Sequence, residues 1–313
     1  MSTAVRACVP TPDPRARLAE SVPNIKLTGK PSILNAMSVD VEDWFQVGAF
    51  ENVVARSEWG TLPSRVERNS DAVLALFDDA GIKATFFTLG WVAERHPALL
   101  RRFADAGHEL ASHGWDHRRV FTFAPEAFRN DVRRARAAIE DASGRHVSGY
   151  RAPSFSIDAR NPWAHEILAE EGYGYSSSVA PVSHDHHGSR DAPRFLFRPV
   201  ASSDFVELPV TTVELGGRRM AAGGGGFFRM LPYRFSDWAI RRVNDRDGRP
   251  AAFYFHPWEI DPGQPRVGRA PLRSRVRHYS RLSAMEGKLR KLLGDFSWGT
   301  TAQVVANERE RLT

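Results

Sequence analysis

Cysteine is almost missing from this sequence: the 313 residues contain one, Cys8. A single thiol excludes an intrachain disulfide framework and a thiolate-built metal centre. Long apolar runs are missing too, and no window approaches the ~18 consecutive apolar residues of a membrane span. Residues 1–30 are rich in proline, alanine and arginine and contain no apolar h-region, so they resemble neither a secretory signal nor a membrane anchor. The expectation is a cytoplasmic protein with a disordered leader over residues 1–30. Lysine and arginine never form a block interleaved with aromatics, which argues against a nucleic-acid partner. The net charge of +6 and pI near 9.7 come mainly from arginines spread along the chain. Such a surface suits acidic glycans, nucleotide-sugars or an anionic membrane face.

What is present is globular: 42% hydrophobic residues, 26% charged and eight tryptophans. The chain is long enough to bury a substantial core. Its organising stretch is Ser38-Val39-Asp40-Val41-Glu42-Asp43-Trp44, where an apolar run from Ile33 to Val39 ends in three carboxylates within four positions. The run reads as a buried strand. Carboxylates crowded at its mouth repel one another and lose solvation. A bound cation, or one carboxylate serving as a base, would resolve that conflict; a solvated acidic loop is the plainer alternative.

Further along, helical spacing covers Ser64–Asp79, Pro97–Ala106, Pro125–Ala142 and Asn161–Glu171, each ending near a glycine. Strands are expected at 83–89, 108–112 and 147–150. Strands alternating with helices over at least four units imply βαβ connections around a parallel sheet, hence an α/β, barrel-like domain. Chemistry then collects at the carboxyl ends of the strands, where Asp40, His113 and Arg151 all fall. From 190 to 230 the texture turns β-rich and includes Gly223-Gly224-Gly225-Gly226, either a flexible loop or a place where backbone approaches a bound sugar. A helix is expected at 231–244 and a buried strand at 251–255, running into His256. In the arginine-rich tail, Leu282, Met285, Leu289, Leu292 and Leu293 form one helical stripe, which would pack on its own domain or lie on a membrane surface.

Three further groups carry chemistry. His113 and His117 at i and i+4 would share a face of a helix, and with a carboxylate from the first strand they supply three ligands and leave a position for water; an ordinary pair of packed histidines is the alternative. Arg151, directly after a strand, can pair with a nearby carboxylate, or make an inconsequential surface salt bridge. His256 sits where a general acid would be needed, or is a histidine at the core edge bonded to backbone.

Taken together, SVDVED, SHGWDH, RAPSF and YFHPWE, in that order, resemble motifs one, two, three and five of the polysaccharide deacetylases, metal-dependent carbohydrate esterases that include chitin and peptidoglycan deacetylases. The resemblance runs from about residue 33 to 262. DVEDWFQV, GGGGFFRMLPY and HPWEIDPGQPR are similar to the subgroup found in bacterial exopolysaccharide gene clusters. The resemblance implies a distorted (β/α) barrel over residues 31–262, with a short β-rich insertion and a basic C-terminal helical extension over 263–313 packing on it.

It also implies roles. Asp40 corresponds to the catalytic base, His256 to the catalytic acid, His113 and His117 to metal ligands, and Arg151 to the arginine that orients the base. The Ser154 amide corresponds to an oxyanion donor, and Tyr254 lines the acetyl pocket. Where the family often has adjacent carboxylates, Val41 intervenes here. Glu42, at i+2 from Asp40, is the preferred metal ligand and Asp43 its rival. The fourth motif's aspartate is missing from Tyr175-Ser176-Ser177-Ser178-Val179, leaving Asp158, Asp185 or Glu259 to support His256. Trp44, Trp115 and Trp258 are placed to stack on sugar rings or to pack in the core.

The implied reaction is metal-dependent removal of N-acetyl groups from hexosamine-containing glycans, or from their lipid- or nucleotide-linked precursors, in extracellular polysaccharide biosynthesis. The implied cofactor is one divalent ion, zinc first, with cobalt, nickel, manganese or iron also suited. Alternatives are an amidase acting on a small amide and a non-catalytic carbohydrate-binding relative. Partners would be the N-acetylated glycan or its precursor and, through the tail, the inner membrane face.

Overall fold

Strand β1 (Asn35–Val41) shows how the chain builds its layers. Successive side chains point to opposite faces. Met37, Val39 and Val41 enter a large cluster with Val73, Leu76 and Phe77. On the other face, Ala36 joins Phe87, Ala111, Tyr175, Val206 and Ala252 in a small inner cluster. A strand apolar on both faces is the mark of a parallel sheet covered by helices. The computed structural model describes residues 33–182 and 188–312; the leader expected over 1–30, and Asp185, lie outside the described residues.

The sheet has eight strands: β1, β2 (Thr85–Thr88), β3 (Glu109–Ser112), β4 (Gly149–Tyr150), β5 (Tyr175–Ser176), β6 (Val206–Glu207), β9 (Ala252–Phe255) and β10 (Trp298–Gly299). Strands β2 to β6 follow β1 in order, β9 lies on β1's other side, and β10 pairs with β1's first residues. Every pairing is parallel. The segment after β6 returns to β9, where Thr211 N–H donates to Ala252 O (3.2 Å) and Ala252 N–H to Thr211 Oγ1 (2.6 Å). The result is a curled α/β half-barrel, distorted from a regular (β/α) barrel by its short strands and irregular closure.

Outside it lie α1 (Val66–Asp79), α2 (Gly90–Arg95), α3 (Pro97–Asp105), α4 (Pro125–Ser143) and α5 (Trp163–Glu170). The β-rich insertion contains the hairpin β7 (Thr212–Leu215) and β8 (Arg218–Ala221). Its turn residues Gly216 and Gly217 both take positive φ, 58° and 74°, as a two-residue hairpin turn of this kind requires. Then come α6 (Gly225–Met230) and α7 (Tyr233–Arg241). The four glycines are neither a flexible loop nor an open sugar cradle. Gly223, Gly224 and Gly225 bring backbone against β9 and its sequel: a Cβ at Gly223 would fall 2.3 Å from Ala252 O, and one at Gly225 2.3 Å from Glu259 Oε1, while one at Gly226 would meet open space.

The C-terminal residues form α8 (Leu272–Tyr279), α9 (Met285–Asp295) and α10 (Thr301–Arg309), and also supply β10 to the central sheet. Val304 and Val305 of α10 join the inner cluster. The α10 amide of Ala302 donates to the half-buried Glu109 (3.0 Å) at the start of β3. The tail stripe of Leu282, Met285, Leu289, Leu292 and Leu293 is buried in the main core. A membrane surface therefore cannot claim it, which corrects the membrane-face reading of this stripe. Leu289→Ala should lower stability by about 2–5 kcal/mol in denaturant unfolding, as for a fully packed core leucine; a change below about 0.5 kcal/mol would place the stripe at the surface.

Candidate active site

Because all eight strands run parallel, their carboxyl ends share one face, and the chemistry-bearing residues gather there. Asp40 lies in β1 and Glu42 just beyond it; His113 follows β3, Arg151 follows β4, and His256 follows β9. Asp40, Glu42 and Arg151 are each at most 2% exposed. Arg151 Nη1 donates to Asp40 Oδ1 at 2.7 Å and to Ser38 Oγ at 2.8 Å. Its Nε and Nη2 donate to Ser177 O and Ser177 Oγ, both at 3.0 Å. The guanidinium also lies 4.0 Å over the Phe87 ring, a cation–π placement. Arg151 is thus no surface salt bridge: it clamps Asp40 from across the interior. Ser177, in the stretch that lacks an aspartate, is its anchor.

Glu42, His113 and His117 form the second group. One ligand atom from each lies within 4.8 Å of the others, and all three residues are buried. The two histidines meet through a loop, not on a helix, because Gly114 and His117 take positive φ of 75° and 59°. Gly114 O and Trp115 O accept from the amides of Gly90 and Trp91, both at 2.9 Å, which fixes that loop. His113 Nδ1 donates to Arg151 O at 2.9 Å. A carbonyl can only accept, so Nδ1 carries the proton and Nε2 keeps its lone pair for a cation. Burial pulls the His113 imidazole down to about 4, so it is neutral near pH 7. For Glu42, burial opposes ionisation, yet the facing His117 and His256 hold its carboxyl at about 2. Its Oε2 lies 3.0 Å from His117 Nε2, and this buried oxygen has no hydrogen-bond partner. An ionised carboxylate oxygen and two imidazole nitrogens converging on one point fit a divalent ion, with positions left open for water or substrate.

Asp43, the rival ligand, is elsewhere. Its Oδ2 accepts from Ser64 Oγ (2.7 Å), Arg65 N (2.8 Å) and Val66 N (3.2 Å), and Oδ1 accepts from Trp44 N (2.8 Å). It caps the amino end of α1 from a distant part of the chain, and its lone pairs are occupied.

His256 is flanked by two carboxylates. Its Nδ1 meets Glu259 Oε1 at 2.7 Å and its Nε2 meets Glu42 Oε1 at 3.2 Å. Burial works against its charge, but Glu42 and Glu259 outweigh it and raise the imidazole to about 9. Glu259 is therefore the group that supports His256. Asp158 instead pairs with its neighbour Arg160. Glu259 is itself bound by Arg229 Nε at 2.6 Å, a residue that sequence reasoning missed; the glycine run before it was the available signal.

Ser154 and Phe155 hold left-handed φ of 56° and 51°, strain of a kind that concentrates at functional sites. The Ser154 amide is in the first turn of the 3-10 segment Pro153–Phe155, where amides lack an intrahelical acceptor. Tyr254 packs against Phe155, ring centroids 4.7 Å apart. Trp258 is not a sugar platform. Its ring is buried between His256 (5.1 Å, 23°) and His278 (4.1 Å, 17°), with Nε1 3.4 Å from Glu42 Oε1. Trp44 is buried with its Nε1 on Pro63 O, and Trp115 is covered by Arg134 at 3.3 Å.

An α/β half-barrel whose strand ends carry a two-histidine, one-carboxylate cluster beside a guanidinium-clamped aspartate has the parts of a metal-assisted hydrolytic site. Comparison with known proteins agrees with that class. Residues 59–174 match the family described as polysaccharide deacetylase, and residues 177–306 match one described as a domain of unknown function (DUF3473). The resemblance to the polysaccharide deacetylases is thus shown for residues 59–174. A peptidoglycan-N-acetylglucosamine deacetylase of Listeria monocytogenes is 32% identical over 77 residues, 25% of this chain and 16% of that protein. The chain thus aligns with about a sixth of that relative's length. Among solved structures, a Mycobacterium smegmatis protein described as a polysaccharide deacetylase superposes with a TM-score of 0.60 at 19% identity, covering 91% of this chain and 93% of the other. PuuE allantoinase superposes at 0.56 and 14% identity, covering 90% and 95%. At these identities the two structures establish the fold.

Two outcomes follow from the geometry. Glu42→Gln should abolish tight divalent-ion binding measured by elemental analysis, whereas Asp43→Asn should keep the ion and lose about 0.5–2 kcal/mol of stability. Equal metal loss in both would return Asp43 to the ligand set. Asp131, whose Oδ2 accepts from Trp115 N (3.2 Å), is raised by burial from 3.8 to about 7. Its contribution to stability is therefore full below pH 4 and lost as pH rises to about 7. Asp131→Asn should gain melting temperature over the native chain across that interval; parallel profiles would show that Asp131 ionises freely when folded.

Proposed function

We propose that this protein is a metal-dependent deacetylase that removes N-acetyl groups from hexosamine units of a glycan or of its lipid- or nucleotide-linked precursor. The observation that carries the reading is the unequal treatment of three buried carboxylates. Asp40 is bound by Arg151 and Glu259 by Arg229, while Glu42, among the described residues, meets no guanidinium or ammonium group, only the His117 and His256 imidazoles and the Trp258 indole N–H. A buried anion countered only by rings that can lose their protons has no fixed countercharge, and a divalent ion held by Glu42, His113 and His117 would supply one. Zinc suits the donor set, as do cobalt, nickel, manganese and iron. When bound, the ion supplies Lewis-acid polarisation of the acetyl carbonyl and a water of lowered pKa.

The chain's own residues do the rest. Arg151 holds Asp40 by Oδ1, so the second oxygen is presented to take the proton of the attacking water. The Ser154 amide donates to the acetyl carbonyl oxygen as it becomes the oxyanion. His256, protonated at neutral pH and held at Nδ1 by Glu259, delivers its Nε2 proton to the departing amine. Tyr254 and Phe155 wall the side on which a methyl group would lie. The named activity of the Listeria relative, on peptidoglycan N-acetylglucosamine, supports this substrate class. The reading extends to a cytoplasmic enzyme of exopolysaccharide biosynthesis, in keeping with the resemblance of GGGGFFRMLPY and HPWEIDPGQPR to that subgroup.

The test is acetate release from chitooligosaccharides and acetylated precursors, before and after metal stripping. The native chain should release acetate, lose activity with chelator and regain it with added zinc. Asp40→Asn and His256→Ala should each lower kcat by about 10²–10⁴-fold. Turnover close to the native rate in either variant would remove that residue from the chemistry.

A further inference from the structure

Beyond the cluster itself, a second buried ion pair stands behind His256. Glu259 is fully buried and Arg229 is 2% exposed. Glu259 Oε1 receives His256 Nδ1–H at 2.7 Å and the His256 backbone N–H at 3.2 Å, while Oε2 receives Arg229 Nε–H at 2.6 Å. Three of the guanidinium's other hydrogens meet backbone carbonyls at the carboxyl end of α8: His278 O (3.1 Å), Ser280 O (2.5 Å) and Arg277 O (3.3 Å). Those carbonyls are the negative end of the helix, suited to a cation. The backbone carrying Arg229 is pinned as well, because Lys288 Nζ from α9 donates to Phe228 O, Arg229 O and Leu231 O at 2.7–3.0 Å. Gly225 leaves no Cβ to strike Glu259. Trp258 then sandwiches the imidazole from one face.

We propose that Arg229 and Glu259 are a positioning pair that sets the tautomer and ring orientation of His256, so that α6 and α8 complete the active centre from outside the strand ends. The pair replaces the support that the serine stretch 176–178 does not offer, since Ser177 is committed to Arg151, Ser178 to the Ala152 amide and Ser176 to Ser178. A carboxylate on Nδ1 leaves Nε2–H as the only proton the ring can present to the site. Arg229 keeps that carboxylate from rotating away, through four hydrogen bonds from one planar fork. The inference rests on the deacetylase reading for its kinetic consequence, but the geometry it invokes can be observed without substrate.

The competing view is that the pair only holds helices together. A buried ion pair of that kind tolerates replacement of both partners by uncharged groups of similar volume, whereas removing one partner strands a charge. The variants are therefore Glu259→Gln, Arg229→Met and the two combined, each loaded with zinc. Positioning predicts that all three lose about 10–100-fold in kcat on chitooligosaccharides, with KM within about threefold and bound zinc unchanged. The double variant should melt near the native temperature and still be as slow as Glu259→Gln. Recovery of kcat in the double variant would overturn the proposal and leave a purely structural pair.

The second readout is the Nδ1 proton of His256 in histidine-labelled protein, assigned by its loss in His256→Ala. It should lie far downfield in the native chain and move upfield in both single variants. An unmoved resonance in Arg229→Met would equally overturn the proposal. A native chain without acetate release, but with the expected proton shifts, would sink the deacetylase reading and leave the positioning pair standing.

Discussion

The structure depends on the ion pair between Arg151 and Asp40, two opposite charges 2.7 Å apart at the closed heart of the half-barrel. Taking both out of water costs several kcal/mol per ion, and attraction alone does not reliably return it. The cost is offset because Ser38, Asp40 and Ser177 take four of the guanidinium's five hydrogens, and Phe87 covers its face. Those partners come from β1, β2 and the end of β5, while Arg151 itself follows β4. One side chain thus ties the first strand to the far side of the sheet, and the shape of the site follows from keeping that bond. Glu207 extends the brace, its Oε1 accepting from the amides of Ser178 and Val179.

From that constraint the division of labour among carboxylates is an electrostatic consequence. Burial raises every carboxyl it touches, and neighbours decide which of them ionise. Asp43 is raised by burial and takes its hydrogen bonds as a helix cap. Glu259 is held down against burial by Arg229 and His256. Glu42 is held down by imidazoles alone. One environment leaves a carboxylate with no permanent countercharge, and there a mobile cation is the natural completion. Similar residues crowded into a short stretch of chain therefore take separate tasks, because each meets a different partner from a distant element.

Much of this was legible in the sequence. The alternation around Asp40 and the helix punctuation at Gly81, Gly107, Gly144 and Gly172 set the strands and helices within a residue or two, and parallel order then forced Asp40, His113, Arg151 and His256 to one face. What was hidden was hidden for physical reasons. The spacing of His113 and His117 imitates a helix, but two residues with positive φ bring the rings together through a loop, a backbone state that side-chain type alone does not announce. Asp43 looked like a ligand because proximity in sequence says nothing about the amides of Ser64–Val66 that claim it. The glycines at 223–226 suggested freedom or sugar, and the first three serve close packing against β9 and Glu259. Trp258 looked like a platform, and its aromatic face is spent on two imidazoles. The support of His256 was invisible where an aspartate is usually sought, since Glu259 comes from the next turn of the same segment and Arg229 from a helix that began as a glycine run. Gly216-Gly217 was the one short-range signal, a hairpin turn, that could have been read directly.

The central claim is that Glu42, His113 and His117 hold one divalent ion next to the clamped Asp40. Anomalous diffraction at the zinc edge, from crystals of the purified full chain, tests this directly. The account predicts one strong peak bonded to both imidazoles and to Glu42, with zinc–nitrogen distances of about 2.0–2.1 Å. A peak elsewhere, or none after zinc is supplied, with the Glu42 and His117 side chains still in direct contact, would contradict it.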